Sequence, residues 1–579
     1  MTQLSGKAPK FGLNAIPALR PLKSLVKTAL ENDVPTGVRS GQRYVATNIE
    51  ELPRGVEAAK RKKAVPLLVL PGPTPEKARR VPASLVLFPL EIAAGGGTSS
   101  LRELADAMVN VIAATWKQET EQVDAWRSLG LSNRAAAEPV PLSSGTQAFE
   151  GLLSGNQGGN LPAGGLWQLV KEAAAEREVA LDQVLEGLLS RFTVWFSPYT
   201  GKPVSPSEAL GIFHTVQLHW QANGCASHCY GAQYWNHPSI RATFTGKGGN
   251  VSFHETQKDA IDAALESNGR ILSWAGRTDQ DFEAACAEKN IPLLRIEDGF
   301  LRSVGLGAGL ARGAMLAVDD LGIYYDPSRP SRLEALLKDY DLSETELERG
   351  RDLIERIKVA RVSKYNFGKS KSFAFPEDKI KILIPGQVAD DAAIRKSRSA
   401  TIDCANTANV NLDLLKLARE RHPEAYLIFK PHPDVETGLR KGRVERSEAL
   451  SYADDIAEDA NIIDLIEAVD GVETFSSLSG FEALLRGKKV TVHGAPFYAG
   501  WGLCEDLTEI PGRGRQRILP ELVYLALVNY ARTIDPVSLL PCTPEFLITR
   551  LSEQRKDRTH LLVTTLKRYS SWLGRKLGI

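Results

Sequence analysis

Two adjacent carboxylates, Glu297 and Asp298, close the strand-like run Leu293 to Ile296 and are released by Gly299, and Arg302 lies four residues beyond Asp298. A carboxylate at a strand end can act as general base or nucleophile when its neighbours tune its pKa. The same residues are also ordinary turn chemistry, since Asp-Gly enters turns readily. A second group, Lys430-Pro431-His432-Pro433-Asp434, directly follows the apolar run 425–429. Prolines on both sides restrict the backbone of His432. Lys430, with Lys441 and Arg443 downstream, brings positive charge suited to a phosphate or a departing nucleotide. The other reading is a rigid crossover loop with a surface histidine.

A third group runs from Thr474 through Phe475, Ser476, Ser477, Leu478, Ser479, Gly480 and Phe481 to Glu482. Hydroxyls and backbone N–H groups at a helix start form an anion site. Ser479 with Glu482 three residues on also reads as a capping box, and the two roles are compatible. Gln387, in Pro385-Gly386-Gln387-Val388, is placed to meet a base, a ribose or a sugar, or else stands in a solvated strand-end loop. The aromatic, turn-rich stretch from His493 to Gly502 lines a sugar or nucleotide pocket or is a packed loop.

Other constellations fail on chemistry. Cys225-x-x-His228-Cys229 has no partner pair at a spacing that would complete four ligands, so no metal site is expected. Gly305-x-Gly307-x-Gly309 lacks the strand–turn–helix context of a dinucleotide fingerprint, and no Walker sequence occurs.

These groups must be positioned by a chain of 579 residues, long enough for two to four packed units. A net charge of +1 argues against nucleic acid as a partner. Six cysteines in such a length fit reduced thiols in the cytoplasm rather than a disulfide scaffold. No apolar run is long enough to span a bilayer, and no signal peptide is read at the N-terminus. The stretch from Leu561 to Ile579 mixes apolar bulk with Lys567, Arg568, Arg575 and Lys576. It is either a helix lying on an anionic membrane or a terminal helix with a solvated face.

Strands are expected at Val65 to Leu70, Ser84 to Leu90, Ile271 to Trp274, Leu293 to Ile296, Lys381 to Ile384, Ala425 to Phe429, Val472 to Thr474 and Lys489 to Val492. The short apolar pair Ile462-Ile463 joins this series. Helices are expected at Leu101 to Trp116, Asp279 to Lys289, Glu344 to Lys358, Asn411 to Arg421 and Gly480 to Leu485, and 143–165 reads as a loop. This alternation implies βα units in two Rossmann-like lobes, with ligands at the carboxyl ends of the strands. A weak repeat links Leu181 to Leu210 with the segment from Leu519, 338 residues on, and all nine histidines lie at or after His214. The expected division is a degenerate or truncated N-terminal module (1–180), a helical linker carrying the repeat marker (181–234), two lobes (235–370 and 371–530) and C-terminal helices (531–579).

Four segments carry a resemblance: RIEDGFLRSVGL from Arg295, DDLGIYYDPSRP from Asp319, KPHP from Lys430, and LSGFEALLRGKKVTVHGAPFYAGWG from Leu478. Over about 235 to 550 the chain resembles the capsule-polysaccharide β-Kdo transferases of the KpsC type. The resemblance implies a GT-B-like α/β fold, CMP-β-Kdo as donor with no further cofactor, and transfer with retention to a Kdo-bearing lipid or glycan. It implies Asp298 as the catalytic carboxylate, forming a covalent glycosyl intermediate, with Glu297 and Arg302 in support. It implies that His432 binds the CMP phosphate or eases its departure. Lys430, Pro433, Ser477, Ser479, Gly480 and Gln387 would complete the nucleotide site. Larger members carry two transferase modules; here the first is short and has neither Glu-Asp-Gly-Phe nor His-Pro, so one active site is expected. The implied setting is the inner face of the inner membrane, with an anionic surface and capsule assembly proteins as partners. Transfer of another CMP-activated acidic sugar, or a non-catalytic assembly scaffold, are the alternatives.

Overall fold

The structure, a computed structural model, describes residues 206–557 except 305–312, 365–370, 405, 437 and 439. Before residue 206 it describes 43–46, 65–70, 84–87, 106, 109–110, 166–180, 193–197, 199–200 and 203–204. The chain forms two compact units, 1–222 with 537–540, and 223–536 with 541–579.

In the first unit, β1 (Arg43–Ala46), β2 (Val65–Leu70), β3 (Ser84–Leu87), β4 (Thr193–Phe196) and β5 (Pro203–Val204) form one sheet in that order. The first pair is parallel and the rest antiparallel. Two helices are described in this unit, α1 (Leu166–Glu176) and α2 (Pro206–Ala222).

The second unit holds two six-stranded sheets. Its first lobe contains β6 (Ser227–Tyr230), α3 (His237–Phe244), β7 (Ser252–His254), α4 (Gln257–Ser267), β8 (Arg270–Trp274), α5 (Gln280–Glu288), β9 (Leu293–Asp298) and β10 (Met315–Asp319). Helices α6 (Arg332–Asp339) and α7 (Glu344–Ala360) lead to the second lobe. There β11 (Lys381–Pro385), α8 (Val410–Arg421), β12 (Tyr426–Lys430), β13 (Asp455–Ile456), α9 (Ile462–Ala468), β14 (Gly471–Thr474), α10 (Leu478–Leu484), β15 (Lys489–Val492) and β16 (Glu505–Asp506) follow. Its sheet, β13-β12-β11-β14-β15-β16, is parallel throughout. The chain then returns through α11 (Leu519–Tyr524) to β17 (Ala531–Thr533), which pairs antiparallel with β10, and ends its described course in α12 (Pro544–Lys556). The first-lobe sheet is therefore β17-β10-β9-β8-β6-β7.

Local chemistry sets the boundaries. Asp279 accepts the N–H of Phe282 to cap α5, and Ser343 with Glu346 forms a capping box on α7. Parallel strands covered on both faces read as unbroken apolar runs. Ile382 and Ile384 of β11 and Leu427 and Phe429 of β12 thus form one core with Leu414, Leu415 and Ala418 of α8.

Several expectations are corrected. Ile462-Ile463 opens a helix rather than a strand, because the Asn461 side chain caps it through the Ile463 N–H. Residues 181–234 are not a purely helical linker, since β4, β5 and β6 fall within them. The C-terminal segment begins with an edge strand, β17, that belongs to the first-lobe sheet. Glu297 and Asp298 do end a strand, β9, and the alternative of a plain turn falls: they pair with Ala317 and Leu316 inside the ladder of β9 and β10. The expected features at 143–165, 305–309 and 561–579 lie outside the described residues, as does the helix at 101–116 except for Asp106, Val109 and Asn110, which are helical.

Candidate active site at the strand ends of the second lobe

Because β11, β12, β14 and β15 run parallel, their carboxyl ends share one edge of the sheet. The loops after them, contributing 385–388, 430–433, 476–479 and 495–498, line a cavity of about 190 Å³. First-lobe residues Tyr324 and Tyr325, with Ser363 and Lys364, also line it.

His432 stands in this wall. The Asp434 N–H donates to its Nδ1 at 3.1 Å, so the ring proton resides on Nε2 in the neutral form. Burial, reinforced by the positive charges of Lys364, Lys430 and Arg440, pushes its pKa down to about 3. His432 is thus a neutral N–H donor rather than a cation. Lys430 does not supply the expected free charge: its ammonium donates to Glu436 at 2.7 Å and to the Pro431 carbonyl at 2.9 Å, and burial lowers its pKa. Lys364, which carried no motif, is the lysine whose charge bears on both His432 and Glu297.

The serine loop is built differently from the expectation. Ser477, not Ser479, caps α10, accepting the Ser479 N–H at 3.2 Å. Glu482 leaves the cap and accepts the Lys364 N–H at 2.9 Å. Gly480 packs behind the cavity, where a Cβ would lie 2.2 Å from the Tyr498 hydroxyl. Its smallness lets Tyr498 pack there, and Gly480 itself does not line the cavity. Ser477, Ser479, Pro433 and Gln387 line the cavity. Gln387 is largely committed to bracing it: Oε1 accepts the Ser476 N–H at 2.9 Å, Nε2 donates to the Ser476 hydroxyl at 3.3 Å, and its backbone pairs with Asn411.

The acids are anchored beside this cavity. Arg302, 1% exposed, donates from Nε to Asp298 Oδ2 at 2.6 Å. Asp298 Oδ1 is buried and has no partner among the described residues. Gly313 leaves room for it, since a Cβ there would stand 3.0 Å away. Burial and the neighbouring Asp298 charge push the Glu297 pKa up to about 8. On this side the cavity wall is formed by Tyr324 and Tyr325 and not by the acids themselves. The Tyr324 hydroxyl donates to the Asp298 carbonyl at 3.2 Å. The N–H groups of Arg302 and Ser303 both donate to the Lys364 carbonyl at 3.1 Å. Lys364 thereby links the acid loop to Glu482 of the second lobe.

The two tyrosines lie in the segment DDLGIYYDPSRP, but nothing in their spacing marks them for chemistry. Cys225, His228 and Cys229 do not converge: Cys225 is exposed, Cys229 lies in the core, and His228 bonds His254 and Ser267. Among the described residues no group of three acidic, histidine or cysteine side chains is placed to hold a metal, and no helix is long and apolar enough to cross a membrane.

Two Rossmann-like lobes, with a cavity on the strand ends of the second, define a GT-B-like architecture. A family model described as capsule polysaccharide biosynthesis protein matches residues 270–366 and 344–533. The capsule polysaccharide modification protein LipA of Neisseria meningitidis serogroup B is 37% identical over 354 residues, which is 61% of this chain and 49% of LipA. The chain thus spans about half the length of the curated relatives named LipA that it matches. Two solved chains of Thermosulfurimonas dismutans KpsC, named as β-Kdo 2,7 and β-Kdo 2,4 transferases, are each 30% identical. Each match covers 57% of this chain, with 99% and 98% of the KpsC chains and TM-scores of 0.45 and 0.49 respectively. This chain belongs to the KpsC-type family of capsule polysaccharide proteins.

Proposed function

We propose that the second unit transfers Kdo from CMP-β-Kdo, with retention, to a Kdo-bearing lipid or glycan during capsule biosynthesis. The observation that carries this reading is the link, through Lys364, between a cavity holding a neutral histidine donor and an acid with one oxygen unpartnered among the described residues. The two KpsC chains, 30% identical in sequence to this one, are named as Kdo transferases, and that sequence likeness supports the same sugar here.

In this mechanism CMP lies along the second-lobe loops. The His432 Nε2–H and the Ser479 hydroxyl hold its phosphate. Asp298, oriented by Arg302, attacks the anomeric carbon through Oδ1 as the glycosyl–phosphate bond breaks, and CMP leaves with the electron pair. An acceptor hydroxyl then attacks the glycosyl ester, giving its proton to the phosphate of the departing CMP, and Asp298 leaves as carboxylate. Two inversions leave the β configuration in place. Glu297, its pKa raised to about 8, stays largely protonated near neutral pH and so adds no second negative charge beside Asp298. A lipid-borne acceptor would bring the chain to the inner face of the inner membrane as a peripheral protein.

The test is transfer from CMP-Kdo generated in situ to a Kdo-bearing acceptor, read by mass gain. Asp298→Asn and His432→Ala are each expected to lower turnover by roughly 100-fold or more without loss of fold. Wild-type turnover by Asp298→Asn would overturn the nucleophile assignment, and a loss confined to Glu297→Gln would move that role to Glu297.

A further inference from the structure

Tyr324 and Tyr325 are neighbours in sequence with opposite fates. The Tyr324 ring packs on Phe300, Phe497 and Tyr530 at centroid distances of 5.1, 5.8 and 6.4 Å, and its hydroxyl is satisfied by the Asp298 carbonyl. Tyr325 meets Tyr324 edge-on at 5.4 Å and lines the cavity. Its hydroxyl is closed off from solvent and has no hydrogen-bond partner among the described residues. A buried polar atom left unpaired weakens a fold, so it is retained where a ligand pairs it. Burial, together with the charges of Glu297, Asp391 and Asp326, raises its pKa far above the ordinary phenol value. The oxygen therefore keeps its proton and offers it to an acceptor.

The chemistry of that acceptor follows from the surroundings. Lys364 lines the same cavity, and its charge reaches both His432 and Glu297. The nucleotide phosphate is assigned above to the second-lobe side, so a hydroxyl donor and an ammonium beside the acid pair meet the sugar. In an acidic 2-keto sugar the carboxylate is bonded to the anomeric carbon itself. An attacking carboxylate and that group are then two like charges in close approach, which a proton donor and a cation must offset.

We propose that Tyr325, with Lys364, binds the carboxylate of the transferred sugar and so selects an acidic donor. This rests on the CMP-sugar reading above. The experiment uses the full chain and Tyr325→Phe, with Lys364→Gln as a second variant. Calorimetry measures binding of CMP alone, and kinetics with in situ generated CMP-Kdo give the donor KM. Tyr325→Phe is expected to keep the CMP affinity of the wild type, and both variants are expected to raise the donor KM roughly tenfold or more. Tyr325→Phe is also expected to melt no lower than wild type, because the hydroxyl it removes has no hydrogen-bond partner among the described residues. A donor KM within about twofold of wild type for Tyr325→Phe, or a joint loss of melting temperature and CMP affinity, overturns the assignment. Wild-type protein that binds no CMP would instead sink the donor reading, and this assignment with it.

Discussion

Glu297 and Asp298 are successive residues of one strand, so their side chains leave opposite faces. That alternation gives two like groups unlike surroundings. Asp298 meets the guanidinium of Arg302, while Glu297 feels burial, the Asp298 charge and, in the opposite sense, Lys364. The consequence is measurable. The Glu297 pKa in the folded chain, about 8, lies above its ordinary value of 4.5. Its contribution to stability is therefore complete below about 4.5 and is lost as pH rises through about 8. Thermal midpoints of wild type and Glu297→Gln, compared at about pH 6 and about pH 9, should diverge at the higher pH with the variant ahead. An equal gap at both pH values would show that Glu297 does not hold its proton in the folded chain. The pairing of an acid with a histidine loop was legible from residue types alone. The neutral state of His432 was not, because it depends first on burial in the folded unit and then on the charge of Lys364, which comes from a distant segment, besides the nearby Lys430 and Arg440.

At the scale of elements, α10 shows how one short helix places the serine edge. Its cap is Ser477, and the Ser477 carbonyl accepts the Tyr498 hydroxyl at 2.5 Å. Gly480 lets Tyr498 reach that carbonyl, since a Cβ at 480 would collide with the phenol. Gly480→Ala should cost about 1–3 kcal/mol in urea denaturation and should weaken ligand binding by displacing 476–479. Stability and affinity equal to wild type would show that the Tyr498 contact is unimportant. The capping residue was misread by two positions because Ser479 and Glu482 satisfy the same local pattern. The choice fell to Ser477 once Glu482 was taken by the Lys364 N–H, a contact 118 residues away in the chain. The strand positions, by contrast, were local: unbroken apolar runs bounded by turns could be read directly.

Across the second unit, ion pairs tie one lobe to the other. Arg513 donates to Glu334 at 2.9 Å and to the carbonyls of Pro496 and Ala499, with its guanidinium over Trp501. The Arg513 and Glu334 side chains are 3% and 14% exposed, so removing one leaves the other's charge uncompensated in a low-dielectric setting. Arg513→Met should cost about 3–5 kcal/mol by chemical denaturation, and a loss under about 1 kcal/mol would mean the pair acts as a solvated one. Lys396 and Asp326 form a second tie at 2.9 Å. The two units also share a pattern. β8-β9-β10-β17 repeats the pairing of β1-β2-β3-β4, parallel once and antiparallel twice. β4 and β17 begin 338 residues apart, at Thr193 and Ala531. Where β9 ends in Glu297-Asp298, its counterpart β2 ends in Val69-Leu70, with Pro71-Gly72 next in the sequence. The copy in the first unit has the strand without the acids.

What the chain settles by itself is whatever depends on neighbours a few residues away: apolar runs that become covered strands, the parallel alternation they force, and the acid and histidine groups at strand ends. Tertiary structure alone decided which atoms are already spent. Lys430 turned to Glu436, Glu482 to Lys364, and the Tyr325 hydroxyl was left without a partner among the described residues. The reason is that hydrogen bonds and desolvation are set by distance in space, and no periodicity along the sequence encodes which distant group arrives.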